Sequence, residues 1–231
     1  MARKGKSIVY RLFIATAVLL ALCGVCLVPV KPTRLTRRTL QSLCRSNLCQ
    51  IRLALANYHD VYGSYPPPVV RDARGRALHS WRVLILPYLE CGPLYGRYRL
   101  DDPWDSPANR EIVSKVGDLG IFQCPAALRD GVNKRPDETN YMMVVGAEGV
   151  RSDQSSRVIL VEVYGTGIAW NQPGDLHAAT MAMQINGPEA RSIRSRHRGG
   201  AHGSRSYEEI ILLPEDMPPR ELDKWLLILE P

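Results

Sequence analysis

Nineteen consecutive residues without a charge, Leu12 to Val30 (LFIATAVLLALCGVCLVPV), constrain this chain more than any other feature. At 1.5 Å per residue the run is roughly 28 Å long as a helix, close to the hydrocarbon thickness of a bilayer. Its setting is one-sided: ten Lys and Arg and no acidic residue precede Asp60. The expectation is a membrane anchor followed by a tethered body. A cleaved signal peptide is the competing reading, because the order basic, apolar, small is present. The apolar region is long for a signal, and Ala21-Leu22-Cys23 is a poor cleavage site.

The charge balance locates the basicity. The chain carries a formal net charge of +7, yet residues 60–231 hold twenty basic against twenty-three acidic side chains. The high pI therefore belongs to the anchor and its flanks, and a nucleic-acid-binding body is excluded as its source. Basic residues beside a bilayer are drawn to anionic headgroups, which accounts for them. Orientation is not set by charge, since Arg3, Lys4, Lys6 and Arg11 before the run balance Lys31, Arg34, Arg37 and Arg38 after it.

Beyond Pro29 and Pro32, which interrupt a helix by removing a donor and clashing with the preceding turn, an apolar stripe recurs. Leu40, Leu43, Leu48, Ile51, Leu55 and Tyr58 follow spacings of three to five, as on one face of a helix, and Gly63 with Pro66-Pro67-Pro68 ends it. A one-faced helix needs a cover, and the rest of the chain is long enough for a domain with its own core. Trp81–Leu89 (WRVLILPYL) is apolar throughout and carries Pro87, so it reads as a short buried helix. Asn140–Gly146, Arg157–Tyr164, Met181–Ile185 and Ile210–Leu213 read as strands, and Pro218–Leu229 as a closing helix. Helices early and strands late predict an α+β fold with an antiparallel sheet. The expected organisation is a basic cytoplasmic tail (1–11), a transmembrane anchor (12–30), a stalk helix (31–63) and an extracytoplasmic α+β domain (64–231).

Residues 44–60, CRSNLCQIRLALANYHD, resemble a large planctomycete family of prepilin-like proteins of unknown function, often marked near the C-terminus by His, nine residues, then Asp-Gly. The resemblance continues through YGSYPPP, LHSWRVLILPYLE, PLYGRYRLDDPWDSPANRE, FQCP, TNYMMVVG and VILVEVYGTGIAWNQPGDL to SRHRGGAH. It implies a pilin-like fold: a long N-terminal helix packed on an antiparallel sheet, with the globular part outside the cytoplasmic membrane. Two departures stand out. Gly5-Lys6-Ser7-Ile8-Val9-Tyr10 lacks the Phe and Glu of a prepilin processing site, and the Asp-Gly expected after His197 falls on Tyr207-Glu208. Asp-Gly makes a tight hairpin turn because glycine accepts positive φ, and Tyr-Glu does not.

Six cysteines divide into Cys23 and Cys26 in the apolar run and Cys44, Cys49, Cys91 and Cys124 beyond it. The outer four allow three disulfide connectivities. The resemblance implies a Cys44–Cys124 pair, since these occupy the family's cysteine positions, with Cys49 and Cys91 a second pair or free. A four-cysteine zinc site lacks its paired knuckles here. Asp101, Asp102 and Asp105 read either as oxygen ligands for a calcium ion or as turn caps around Pro103 and Pro107. Arg194, Arg196, His197 and His202 fall in a basic loop around Gly199-Gly200, read as solvated or as a receptor for an anionic glycan or phosphate; Trp104 and Trp170 complete that candidate ligand-contact set.

No hydrolase elbow, phosphate loop, dinucleotide fingerprint or zinc-protease helix occurs. The sequence thus predicts an anchored cell-envelope protein acting by contact, with no catalysis and no cofactor. Its expected partners are the bilayer through 12–30 and envelope proteins or like subunits. An anchored solute- or glycan-binding protein is the alternative.

Overall fold

The computed structural model describes residues 35–146, 159–189, 191–205 and 209–227. The tail and the apolar run Leu12–Val30 lie outside these. Among the described residues no helix is long and apolar enough to cross a membrane. Residues from Thr36 onward form one unit.

The stalk stripe becomes α1, Arg37–Tyr62. Thr36 starts it by accepting a hydrogen bond from Thr39 N at 3.1 Å, and Gly63 stops it in the left-handed conformation that glycine adopts without a Cβ penalty. Leu40, Cys44, Leu48, Ile51, Ala54 and Leu55 are its buried face. Leu43, assigned to the stripe from its spacing, is exposed, because Cys44 occupies the inward position beside it. The apolar stretch after Ser80 folds as a turn of helix, α2 (Trp81–Leu84), then a 3-10 turn over Leu86–Tyr88 that accommodates Pro87. Short helices α3 (Gly92–Tyr95), α4 (Pro107–Val116) and α5 (Pro125–Arg129) follow, each with proline in its first turn, where the missing N–H is not needed. The last helix is α6, Pro219–Leu227.

Strands β1 (Val69–Arg71) and β2 (Ala77–Ser80) form a small hairpin. The main sheet has five strands in the order β5-β3-β4-β6-β7. They are β3 (Tyr141–Val145), β4 (Ile159–Glu162), β5 (Leu176–His177), β6 (Gly200–Arg205) and β7 (Ile211–Pro214). Only the β3–β5 pairing is parallel. The fold is α+β with a mixed, mostly antiparallel sheet.

Three of the expected strands form. Met181–Ile185 does not, because its backbone pairs with the neighbouring loop, Ala182 N to Arg191 O and Asn186 N to Ile193 O, while Met181 and Ile185 serve as core. Of the basic segment expected as a loop around Gly199-Gly200, residues 191–199 are a loop of turns and bends, and residues 200–202 instead begin β6, a strand with no β-branched residue. Gly200 has φ +149°, and a Cβ there would overlap the Leu213 carbonyl of β7. Glycine is what lets these two strands close up.

Side chains alternate across the sheet, so β3 and β4 each serve two cores. Tyr141, Met143 and Leu160 join α1, with Trp81, Phe122 and Trp170, in one cluster. Met142, Val144, Ile159, Val161, Ala201 and Leu213 join Leu222 and Leu226 of α6 in the other.

Candidate functional site

Glu162 ends an apolar strand and is fully buried, on the same side of β4 as Leu160. A carboxylate there needs partners, since an unpaired buried charge costs several kcal/mol. His197 Nε2 lies 3.1 Å from Glu162 Oε1, and the backbone N–H of His202 donates to Oε2 at 2.8 Å. The His202 ring brings Nδ1 to 3.2 Å from Oε1, without the alignment of a hydrogen bond. The two imidazoles meet edge to face, their centroids 5.1 Å apart. Burial acts to raise the Glu162 carboxyl, but hydrogen bonds and charge from His197 and His202 outweigh it and hold the group down at about 2.

His197 and His202, read from sequence as part of a solvated basic loop, are thus buried. Their placement follows from local chemistry. Asn186, at φ +56°, accepts from Ser195 N at 2.7 Å, and Ser195 Oγ accepts from His197 N at 3.2 Å. His202 then sits on β6 between Ala201 and Gly203, which face the opposite core. The arginines of the same segment are engaged elsewhere. The Arg194 guanidinium lies 4.6 Å from the centre of the Tyr164 ring, and Arg196 donates to Asp130 at 3.0 Å.

Directly against this pair is the disulfide Cys44–Cys124, whose Cα atoms are 5.2 Å apart. Cys124 Sγ is 3.5 Å from His197 Nε2. The bridge joins α1 to the start of α5, and polar contacts align both sides. Asn47 donates to Gly120 O and Gln123 O at 3.0 and 2.9 Å, Tyr141 Oη donates to Cys44 O at 3.3 Å, and Cys124 N donates to Asn140 at 2.8 Å. Cys49 and Cys91 are free thiols.

A second buried polar cluster closes the edge of β3. Strand β5 pairs only with Val144 and Val145, so the backbone of Tyr141 and Met143 needs other partners. Arg82, fully buried, donates to Tyr141 O through Nε and Nη2 at 3.1 and 2.8 Å. Asp175 Oδ1 accepts from Met143 N at 2.8 Å, from Arg82 Nη2 at 2.9 Å and from Trp81 Nε1 at 3.1 Å. An ion pair of side chains therefore stands in for a strand. Burial drives the Asp175 carboxyl up and the Arg82 guanidinium down, against their mutual attraction.

The two tryptophans paired in the sequence reading part company. Trp170 is buried and stacks on Phe122, ring centres 6.3 Å apart. Trp104 is half-buried and walls a cleft of about 690 Å³ with Arg110, Val113, Arg135, Asp137 and Asn171. Asn171 donates to Trp104 O at 3.1 Å and to Tyr98 Oη at 3.2 Å, and Arg135 pairs with Asp137 at 2.5 Å. The aspartate-rich loop before α4 is organised by buried Asn109, whose amide donates to Arg99 O, Asp102 O and Pro103 O. His79 packs edge-on to Tyr98, and burial lowers its pKa; His177 is exposed.

Sequence reasoning missed Glu162, Arg82, Asp175 and Asn109. The signal for two of them is visible. A lone Glu inside VILVEV and a lone Arg inside WRVLIL are charges in runs that must be buried.

Together these features define a disulfide-fixed α+β domain with a helix on each face of a mixed sheet and a buried histidine–carboxylate cluster beside the bridge. The chain belongs to the family described as "Protein of unknown function (DUF1559)", whose model matches residues 37–162. Comparison with curated proteins and with solved structures finds no match.

Proposed function

We propose that this chain is a membrane-anchored, pilin-like protein of the cell envelope, working through contacts with envelope proteins or like subunits and without catalysis. The observation that carries the reading is the mounting of α1. A helix that begins at Arg37, a few residues after the apolar run in the sequence, lays one face on the domain and is bonded to it through Cys44–Cys124. Such a mounting suits a part that holds position, and a disulfide suits an oxidising compartment outside the cytoplasm. The buried ionisable groups support the same reading, because Arg82, Asp175 and Glu162 are taken up in packing contacts.

Carbonate extraction and protease shaving of intact spheroplasts test the anchor and its orientation. Retention in the membrane with a protease-accessible domain is expected, and release or protection would overturn it. A screen of the full chain against ester, peptide, glycoside and phosphate substrates tests the absence of catalysis. Turnover abolished by substituting His79, His177 or His197 would end that part of the reading.

One observation favours the alternative role in solute or glycan binding: the cleft beside Trp104, where an aromatic wall meets the Arg135–Asp137 pair. Aromatic faces with a few fixed polar groups are the usual make-up of such sites. Titration with a panel of oligosaccharides, using wild type and Trp104→Ala, decides it. Saturable binding lost in the variant would establish the second reading.

A further inference from the structure

Cys44 and Cys124 lie against Glu162 and His197, and all four are buried. One ligand atom from each of the four residues lies within 4.8 Å of all the others. In a tetrahedral zinc site, with bonds of about 2.0–2.3 Å, neighbouring ligand atoms stand about 3.3–3.8 Å apart. The Cys124 Sγ to His197 Nε2 distance, 3.5 Å, is within that spacing, and His197 Nε2 to Glu162 Oε1, 3.1 Å, is just below it. The two sulfurs are bonded to each other, and breaking that bond lets them part to the same spacing. We propose that in their dithiol form Cys44 and Cys124, with His197 and Glu162, bind a single Zn²⁺.

The donor set selects the ion. Two thiolates, an imidazole and a carboxylate suit a borderline cation such as Zn²⁺ or Co²⁺ and disfavour Ca²⁺ and Mg²⁺, which take oxygen. The surroundings are those of a supported site. The His202 N–H ties down Glu162 Oε2 and leaves Oε1 toward the centre, and the buried His202 ring places Nδ1 3.2 Å from that same oxygen. Orientation of ligands by such neighbours raises metal affinity. Among the described residues the other two cysteines are not involved, since Cys49 is exposed and both it and Cys91 stand apart from the cluster.

The chemistry balances with one oxidant, the disulfide of a partner thiol–disulfide protein. A newly made chain carries thiols; binding Zn²⁺ releases two protons, one from each cysteine, and transfers no electrons. Oxidation by a disulfide of a partner thiol–disulfide protein forms the Cys44–Cys124 bond, passes two electrons to the partner as two thiolates, and frees the ion. Metal and bridge are thus two mutually exclusive ways of fixing α1 to the sheet. The proposal stands whatever role the domain has in the envelope.

Cobalt binding tests it on the full chain in mild detergent, folded oxidised and then reduced with a phosphine, with circular dichroism recording the fold. Reduced wild type should take up Co²⁺ in a single site with thiolate-to-cobalt charge-transfer absorption and tetrahedral visible bands, and oxidised wild type should not. The Cys49→Ser/Cys91→Ser double variant should behave as wild type. His197→Gln and Glu162→Gln, which leave the bridge intact during folding, should lose the tetrahedral spectrum. No uptake by reduced wild type, uptake equal in the oxidised form, or a spectrum unchanged in His197→Gln would overturn the proposal.

Discussion

The two faces of the main sheet are built on different principles. The face toward α6 is aliphatic, with Val144, Val161, Ile159, Ala201, Leu213, Leu222 and Leu226 packed together. The face toward α1 mixes its apolar cluster with a disulfide, Glu162 and two histidines, and the neighbouring edge of β3 carries the Arg82–Asp175 pair. An aliphatic face gains stability in proportion to buried area and accepts any well-packed substitute. A polar face is less tolerant, because each member is costly to bury unless every partner is in place. The α1 face therefore sets one geometry for the helix, while the α6 face supplies bulk.

The largest test of that contrast is the bridge. Its loop spans 80 residues, and the chain-entropy model gives about 4.5 kcal/mol for closing a loop of that size. The Cys44→Ser/Cys124→Ser variant should lose a stability of that order in urea melts; a loss under 1 kcal/mol would mean that packing alone fixes α1. Arg82→Met is next. It strips Tyr141 O of two donors and leaves Asp175 buried without its cation, for an expected loss of about 3–5 kcal/mol. A near-neutral result would show that the edge of β3 is satisfied otherwise. Leu222→Ala and Leu55→Ala, one on each face, should each cost about 2–4 kcal/mol, while Leu53→Ala on the outer side of α1 should stay within about 0.5 kcal/mol. Equal effects at Leu53 and Leu55 would mean α1 is not docked by the face described.

The last test separates the faces by pH. Glu162 has its folded pKa depressed to about 2 from an ordinary value of 4.5. For a depressed carboxyl, the unfolded chain binds the proton first, so stability is full above about 4.5 and declines as pH falls toward about 2. Urea midpoints should fall over that window in wild type and in Leu222→Ala, and more shallowly in Glu162→Gln. An identical slope in Glu162→Gln would assign the acid sensitivity to other carboxylates.

What could be read from the sequence follows the same division. The stripe Leu40, Leu48, Ile51, Leu55 showed a helix with one buried side, and the apolar runs at Tyr141–Val145 and Ile159–Glu162 showed strands, because aliphatic burial leaves a periodic trace. The Cys44–Cys124 pairing came through the family resemblance rather than through spacing. Strand β6 was misread because GAHGSR owes its strand state to its place between β4 and β7, and no local preference marks it. For the same reason His197 and His202 looked solvated; their burial depends on Glu162, which is 35 and 40 residues away. Trp104 and Trp170 looked alike, and the packing of Phe122 and Tyr98 against Trp170 sets them apart.

The bridge also determines how the domain carries a mechanical load. A pull on the N-terminal segment enters α1 and reaches Cys44 within its second turn. From there the covalent path crosses to Cys124 and runs on toward β3, so the 79 residues from Cys49's neighbourhood through α4, numbered 45–123, bear no tension. At about 3.4 Å per residue they hold roughly 270 Å of chain in reserve. While the sulfurs are joined that length cannot pay out, and the hairpin and helices α2 to α4 keep their shape under force. Once they are parted, the same pull would begin to peel α1 from the sheet.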